Sequence, residues 1–266
     1  MNKPQKEGIT LKARGMLMSM GFKKGFSSRY ALVFYLGSIL ISITIQFFLW
    51  KAVLVNKPEV EFKQTISYLV LMQFLSMAFP KSSYELNDEI KSGDMALSLL
   101  KPISLENKFF WEGLGYSLAK VVVIGLVEIV IYFLLVPHAV TVLSVLMVCV
   151  AIALAYTLYF EIELILGTFA FYTYSIWGIA TFKSAILLIL SGNIFPVEYY
   201  PSFIRSLSDI LPFQYSFGAV GLLSQNPSLD LFTKIVLIQL FYIVVFHFIY
   251  LGLFNRAVKS VVIQGG

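Results

Sequence analysis

The chain has 266 residues, of which 58% are hydrophobic and 13% charged, whereas a soluble domain is roughly 45–50% apolar and 25% charged. That composition excludes a water-soluble globular fold. A formal charge of +5 raises the question of nucleic acid, but seven of the 20 Lys and Arg precede the first apolar block and most others flank apolar segments. Basic residues so placed anchor a membrane protein to anionic lipid, and no nucleic-acid partner is expected.

Residues 1–29 read as a cytoplasmic tail with an amphipathic section. In it Leu11, Met16, Leu17, Met18, Met20, Phe22 and Phe26 interleave with Lys12, Arg14, Lys23 and Lys24, a pattern that lies flat at an interface and enters the bilayer through an elbow. Lys3, Lys6 and Arg29 complete the basic set. The block over residues 30–50 carries no charge and as a helix covers about 30 Å of hydrocarbon. It is too long for a signal-peptide core and has no clear small-residue cleavage site, so it is expected to remain as a span. Trp50 and Lys51 end it as an interfacial aromatic and a charge. Asn56, Lys57, Pro58, Glu59, Glu61 and Lys63 then form a polar loop before a second block, residues 65–80.

Residues 81–112 are the longest polar stretch, with Lys81, Glu85, Asp88, Glu89, Lys91, Asp94, Lys101, Glu106, Lys108 and Glu112, and belong outside the bilayer. One helix is expected over residues 83–90, stopping at Ser92 and Gly93. Asp94 is expected to cap a second, apolar turn over residues 95–100 that ends at Pro102. That turn is far too short to span and is expected to expose Met95, Leu99 and Leu100.

A third span is expected over residues 114–136, with a tight turn at Pro137 and His138, and a fourth starting near Ala139. The chain then stays apolar to Phe195, long enough for spans four and five, with their turn expected between Tyr172 and Lys183, near Gly178. Residues 192–229 form a non-spanning section, because Pro196, Pro201, Pro212 and Pro227 break helices at that density. Phe203, Ile204, Leu207, Ile210 and Leu211 nevertheless suit one short amphipathic surface helix. The last span covers residues 231–254, followed by Arg256 and Lys259. With the N-terminus cytoplasmic, six spans put fifteen basic residues inside and five outside, which sets both termini and the 81–112 loop on the cytoplasmic face. No internal repeat supports an inverted-repeat transporter.

Nucleotide and hydrolase chemistry is missing from the sequence. No G-x-x-x-x-G-K-[ST] loop is present, and neither His138 nor His247 belongs to an H-E-x-x-H motif. No G-x-S-x-G elbow occurs. The single Cys149 permits neither an intrachain disulfide nor a cysteine metal cluster. The conspicuous residues are the acids inside apolar sequence, Glu128, Glu161 and Glu163, since an acid at mid-bilayer costs a few kcal/mol. They either line a pathway or, for Glu161 and Glu163, pair with Lys120 or Lys183 near the cytoplasmic interface.

Two segments carry a family resemblance. Residues 87–102, NDEIKSGDMALSLLKP, and residues 191–212, SGNIFPVEYYPSFIRSLSDILP, resemble the cytoplasmic loop and the outer element of permease subunits of type-two ATP-binding-cassette exporters. The bacterial drug, peptide and lipid exporter permeases are of this class. The resemblance implies an all-α polytopic fold with six spans, an elbow helix, a cytoplasmic coupling helix and short re-entrant outer helices. By position it implies coupling residues Asp88, Glu89, Gly93, Asp94, Leu99, Leu100 and Pro102. It likewise implies an outer gate of Gly192, Phe195, Pro196, Pro201, Leu211 and Pro212. It further implies a separate ATPase subunit holding ATP and Mg, with no cofactor or metal on this chain, a second permease copy or homologous permease, and a multi-pass place in the bacterial cytoplasmic membrane. The other class of function open to the sequence is a membrane-bound sensor or assembly protein that docks a partner without transport.

Overall fold

The computed structural model describes residues 10–27, 29–135, 140–173 and 175–260, and among these every regular element is helical. In chain order the helices are α1 (Leu11–Gly25), α2 (Arg29–Val53), α3 (Glu59–Ala78), α4 (Ser82–Ser92), α5 (Asp94–Leu100) and α6 (Leu105–Lys120). A π-helical turn, Val121–Gly125, joins α6 to α7 (Leu126–Leu135). There follow α8 (Val142–Thr168), α9 (Trp177–Leu190), α10 (Ser202–Ile210), α11 (Pro212–Ser216), α12 (Gly218–Gln225) and α13 (Leu229–Ala257). Lys3, Lys6, Pro137 and His138 lie outside the described residues.

Among the described residues, three helices are long and apolar enough to cross a bilayer: Val33–Val53 of α2, Val142–Phe171 through α8, and α13. The pair Leu105–Val123 and Leu126–Leu135, bent by 60°, makes a fourth if it is one broken span. The expected second and fifth spans form helices in place, but neither meets that standard. In α3 the supposed loop residues Glu59, Glu61 and Lys63 are already helical, so its polar start dilutes its apolar run. α9 has 14 residues, about 21 Å at 1.5 Å per residue against roughly 30 Å of hydrocarbon. The turn before it also ends earlier than expected, so Lys183 sits inside α9 rather than in a loop.

The core forms where α3, α8 and α13 meet α11 and α12. Met72, Leu75, Ala151, Ala155, Leu158, Val220 and Leu223 have essentially no exposure there. Gln239 of α13, also buried, donates to the carbonyls of Ala151 and Tyr215 at 3.1 and 2.9 Å, tying α13 to α8 and α11 where no water can serve them. A second, smaller cluster lies below it, around Leu86, Met95, Leu105, Phe109, Phe160, Leu164 and Tyr250.

α1 lies along α6 at backbone contact. A Cβ on Gly21 would stand 1.9 Å from the Glu112 carbonyl oxygen, and one on Gly115 would stand 2.0 Å from that of Met18. Only glycine permits this approach. The Arg14 guanidinium lies over the Trp111 ring at 5.5 Å, while Leu11, Met16 and Met20 stay exposed. This leaves an apolar face on the interfacial helix expected from the sequence.

Candidate functional site

α4 and α5 are built by their sequence. Gly93 adopts φ 82°, a left-handed conformation that ends α4 and lets the chain turn into α5. Asp94 is the first residue of α5 and not its cap: Gly93 holds the cap position, and the Ser92 hydroxyl donates to the Asp94 carboxylate at 2.8 Å. The lip of exposed apolar residues is also different from the one expected. Met95 is 3% exposed, buried in the smaller core cluster. Leu100 stands out at 82%, as expected, and is joined by Leu97 at 62%, while Leu99 is half-buried. A helix of seven residues turns roughly 100° per residue, so positions 95 and 99 face one way while 97 and 100 face away from them. Asp88, Asp94 and Pro102 are exposed beside this lip.

Glu89 is engaged within the chain, forming an ion pair with Lys108 of α6. The same ammonium donates to the Ser98 hydroxyl at 3.2 Å, so Lys108 holds α4 and α5 together on α6. Lys24 of α1 pairs with Glu85 of α4 at 2.8 Å. Burial alone would lower the Lys24 pKa, but the Glu85 hydrogen bond and charge outweigh it and leave it raised.

The strongest anchor of α4 is Glu163, on α8. The Ser83 backbone N–H and hydroxyl, at the start of α4, donate to one of its carboxylate oxygens at 3.1 and 2.6 Å. Lys183 of α9 pairs with the other and also donates to the Tyr159 hydroxyl at 3.2 Å. One buried carboxylate thus joins α4, α8 and α9, and serves orphan N–H groups at a helix start. Lys120, the other partner expected for these acids, points elsewhere: it lies over the Tyr116 ring at 4.4 Å and reaches the Met77 carbonyl. Close contact reinforces the α4–α8 joint, since a Cβ on Gly167 would meet Leu86 at 2.7 Å.

Glu161, one helical edge away, belongs to a cluster the sequence did not bring together. His247 Nδ1 of α13 lies 3.2 Å from Glu161 and 3.5 Å from Glu106 of α6. The three donor atoms fall within 4.8 Å of one another, close enough to share a cation. Glu106 is therefore no idle rim charge of the polar loop. Nothing local in the sequence marks His247 as part of it, because its partners are 86 and 141 positions distant.

Glu128 stands apart from all of these. The π-helical turn just before α7 changes the face that α7 presents, and Glu128 is 1% exposed, with neither carboxylate oxygen bonded by any of the described residues. It lines a cavity of about 280 Å³ between α3, α7 and α8.

At the opposite end, the outer residues close over α2 and α3. Gly192 takes φ 76°, and its carbonyl accepts from the Tyr68 hydroxyl at 2.6 Å. A side chain there would collide with Tyr68, Val197 and Gly218. Pro196 and Pro212 are buried, Pro201 and Phe195 exposed, and Leu211 half-buried. Trp50 is not a free interfacial anchor: it is covered, its ring 4.9 Å from Tyr199 and 6.2 Å from Phe195. Tyr68 is the neighbour of Gly192 that the sequence missed, hidden in an apolar helix with no motif around it. α10 forms as expected, with Phe203 and Ile210 exposed.

No curated protein matches the chain. The profile of the family described as ABC-2 family transporter protein matches residues 40–265, a range that takes in the α4–α5 element, the buried acids and the outer layer together. An all-α membrane chain, with apolar helices of spanning length and that match over most of its residues, belongs to the ABC-2 family of transporter proteins.

Proposed function

We propose that this chain is the membrane-spanning permease subunit of an ATP-driven exporter, and that α4 and α5 receive the stroke of a separate ATPase subunit that holds ATP and Mg. The observation that carries the reading is the apolar lip of Leu97 and Leu100 on a helix too short to span, next to α4, which is held by ion pairs to α1 and α6 and by a Ser83 hydrogen bond to Glu163 of α8. An exposed apolar pair rimmed by charge suits a protein partner. Exposed Asp88 and Asp94 would meet basic residues at the rim of such a partner, with Leu100 and Pro102 toward the centre of the contact, Leu99 at its edge and Gly93 as the bend.

On this reading a push on α5 passes through Glu89 and Lys108 to α6, and through Ser83 and Glu163 to α8 and α9, tilting the bundle between inward-open and outward-open states. Gly192, Phe195, Pro196, Pro201, Leu211 and Pro212 form the outer gate, resting on Tyr68 and Trp50. Six spans rest on the apolar blocks of the sequence, and the charge asymmetry then sets both termini and the α4–α5 loop on the cytoplasmic side of a bacterial cytoplasmic membrane. The outward apolar face of α2, with Phe34, Ile41, Ile45 and Phe48 exposed, suits lipid or a second permease copy. The test is co-purification of the full chain with its ABC ATPase from membranes. The reading expects a stable complex whose ATPase rate changes on adding the permease; an ATPase that neither binds nor responds would leave a sensor or assembly role instead.

A further inference from the structure

Glu128 sits in a place where an ionised acid should not remain alone. Its cavity is walled by Leu71, Phe74, Ile152 and the Tyr132 ring. The serine hydroxyls of the lining are committed elsewhere: Ser144 donates to the Thr141 carbonyl at 2.7 Å and Ser224 to that of Gly221 at 2.6 Å. Among the described residues no side chain bonds either Glu128 oxygen, and an unpaired buried carboxylate is costly in any apolar medium. Cations inside the fold have other partners, with Lys183 on Glu163 and Lys120 over Tyr116. The cavity opens sideways past exposed Phe133 and Val145, onto the flank of α7 and α8 that faces lipid if these helices span.

We propose that this cavity is a binding site for a lipophilic organic cation, with Glu128 as its counter-ion and the Tyr132 ring against its apolar body. The acid selects the ligand class, because a cation can take the place of the proton that otherwise neutralises a buried carboxyl, whereas a neutral or anionic guest offers the ionised group no partner. The lateral opening selects lipid solubility, since a guest arriving through it comes from the acyl region. The volume, about 280 Å³, is near the lower end of ligand sites, roughly 300–1,000 Å³, and favours a compact guest. This rests on the permease reading and names the substrate class at its cavity.

The test uses the full chain in lipid nanodiscs and equilibrium dialysis with radiolabelled benzyltriethylammonium, empty nanodiscs giving the lipid background. One saturable site per chain is expected. Glu128→Gln, which keeps the shape and removes the charge, should weaken binding by about tenfold or more, the scale on which a buried charge loses its partner. Glu128→Asp should retain saturable binding, and the Gln variant should unfold no earlier than wild type. No saturable binding to the wild-type chain, or equal binding by Glu128→Gln, would overturn the proposal. If Glu128→Gln fails to fold, loss of binding in a folded Glu128→Asp decides against it. Because the assay needs neither ATPase nor transport, its failure leaves the permease reading intact, and a chain that binds the cation but no ATPase would fail that reading alone.

Discussion

Glu163 and Glu128 are both glutamates buried in apolar helices, at 0% and 1% exposure, yet their surroundings are opposite. Glu163 is met by an ammonium, a hydroxyl and a backbone N–H from two other helices. Glu128 is met by none among the described residues. Burial therefore does not define a role, whereas the partners do: the first acid is a fastener beneath α4, and the second is an unpartnered acid beside a cavity.

Breaking the fastener should have the largest effect. Lys183→Met leaves Glu163 buried without its cation, and removing one member of a buried pair costs about 3–5 kcal/mol. Unfolding of the purified chain in detergent should show that loss, and Glu163→Gln combined with Lys183→Met should recover part of it. If Lys183→Met is no less stable than wild type, Glu163 is not the anchor described here.

The ion pair between Lys24 and Glu85 sharpens the comparison from the other side, because its lysine side chain is 59% exposed. Lys24→Met should cost no more than about 1 kcal/mol, as surface pairs do. The folded Lys24 pKa is raised above 10.5, so its contribution is complete below that value and disappears as pH rises through the folded pKa. A stability profile of wild type minus Lys24→Met should be flat at neutral pH and close at the alkaline end as Lys24 loses its proton. A difference that persists once Lys24 has lost its proton would assign the effect to another group.

Much of the fold was legible because it rests on local physics. Blocks of apolar residues place α2, α6 to α8 and α13, and the Gly93 bend and the Pro-rich outer segment follow from backbone constraints that a sequence displays directly. The pairings were less legible. Lys183 was a stated partner for Glu163, but nothing local indicates that Ser83 also meets it from 80 positions away. The union of His247 with Glu161 and Glu106 depends on how three helices cross. The exposed face of α5 was misassigned because seven residues give too little periodicity to choose a face, and Met95 is claimed by a core that chain-distant Phe160 and Tyr250 complete. Glycine contacts such as Gly21 on Glu112 and Gly115 on Met18 are equally silent in sequence, since they are set by how closely two backbones approach.

The central claim is that α5 hands the ATPase stroke to the bundle through Leu97 and Leu100. The most direct measurement reconstitutes the permease with its ATPase in vesicles and follows complex formation, ATP hydrolysis and transport in Leu97→Asp with Leu100→Asp. Both positions are exposed, so the permease alone should fold and insert as wild type. The account predicts that the double variant loses the ATPase, or retains it while hydrolysis no longer drives transport, truncation of an interface anchor commonly costing about 2 kcal/mol or more. Wild-type assembly and wild-type transport per ATP in that variant would contradict it.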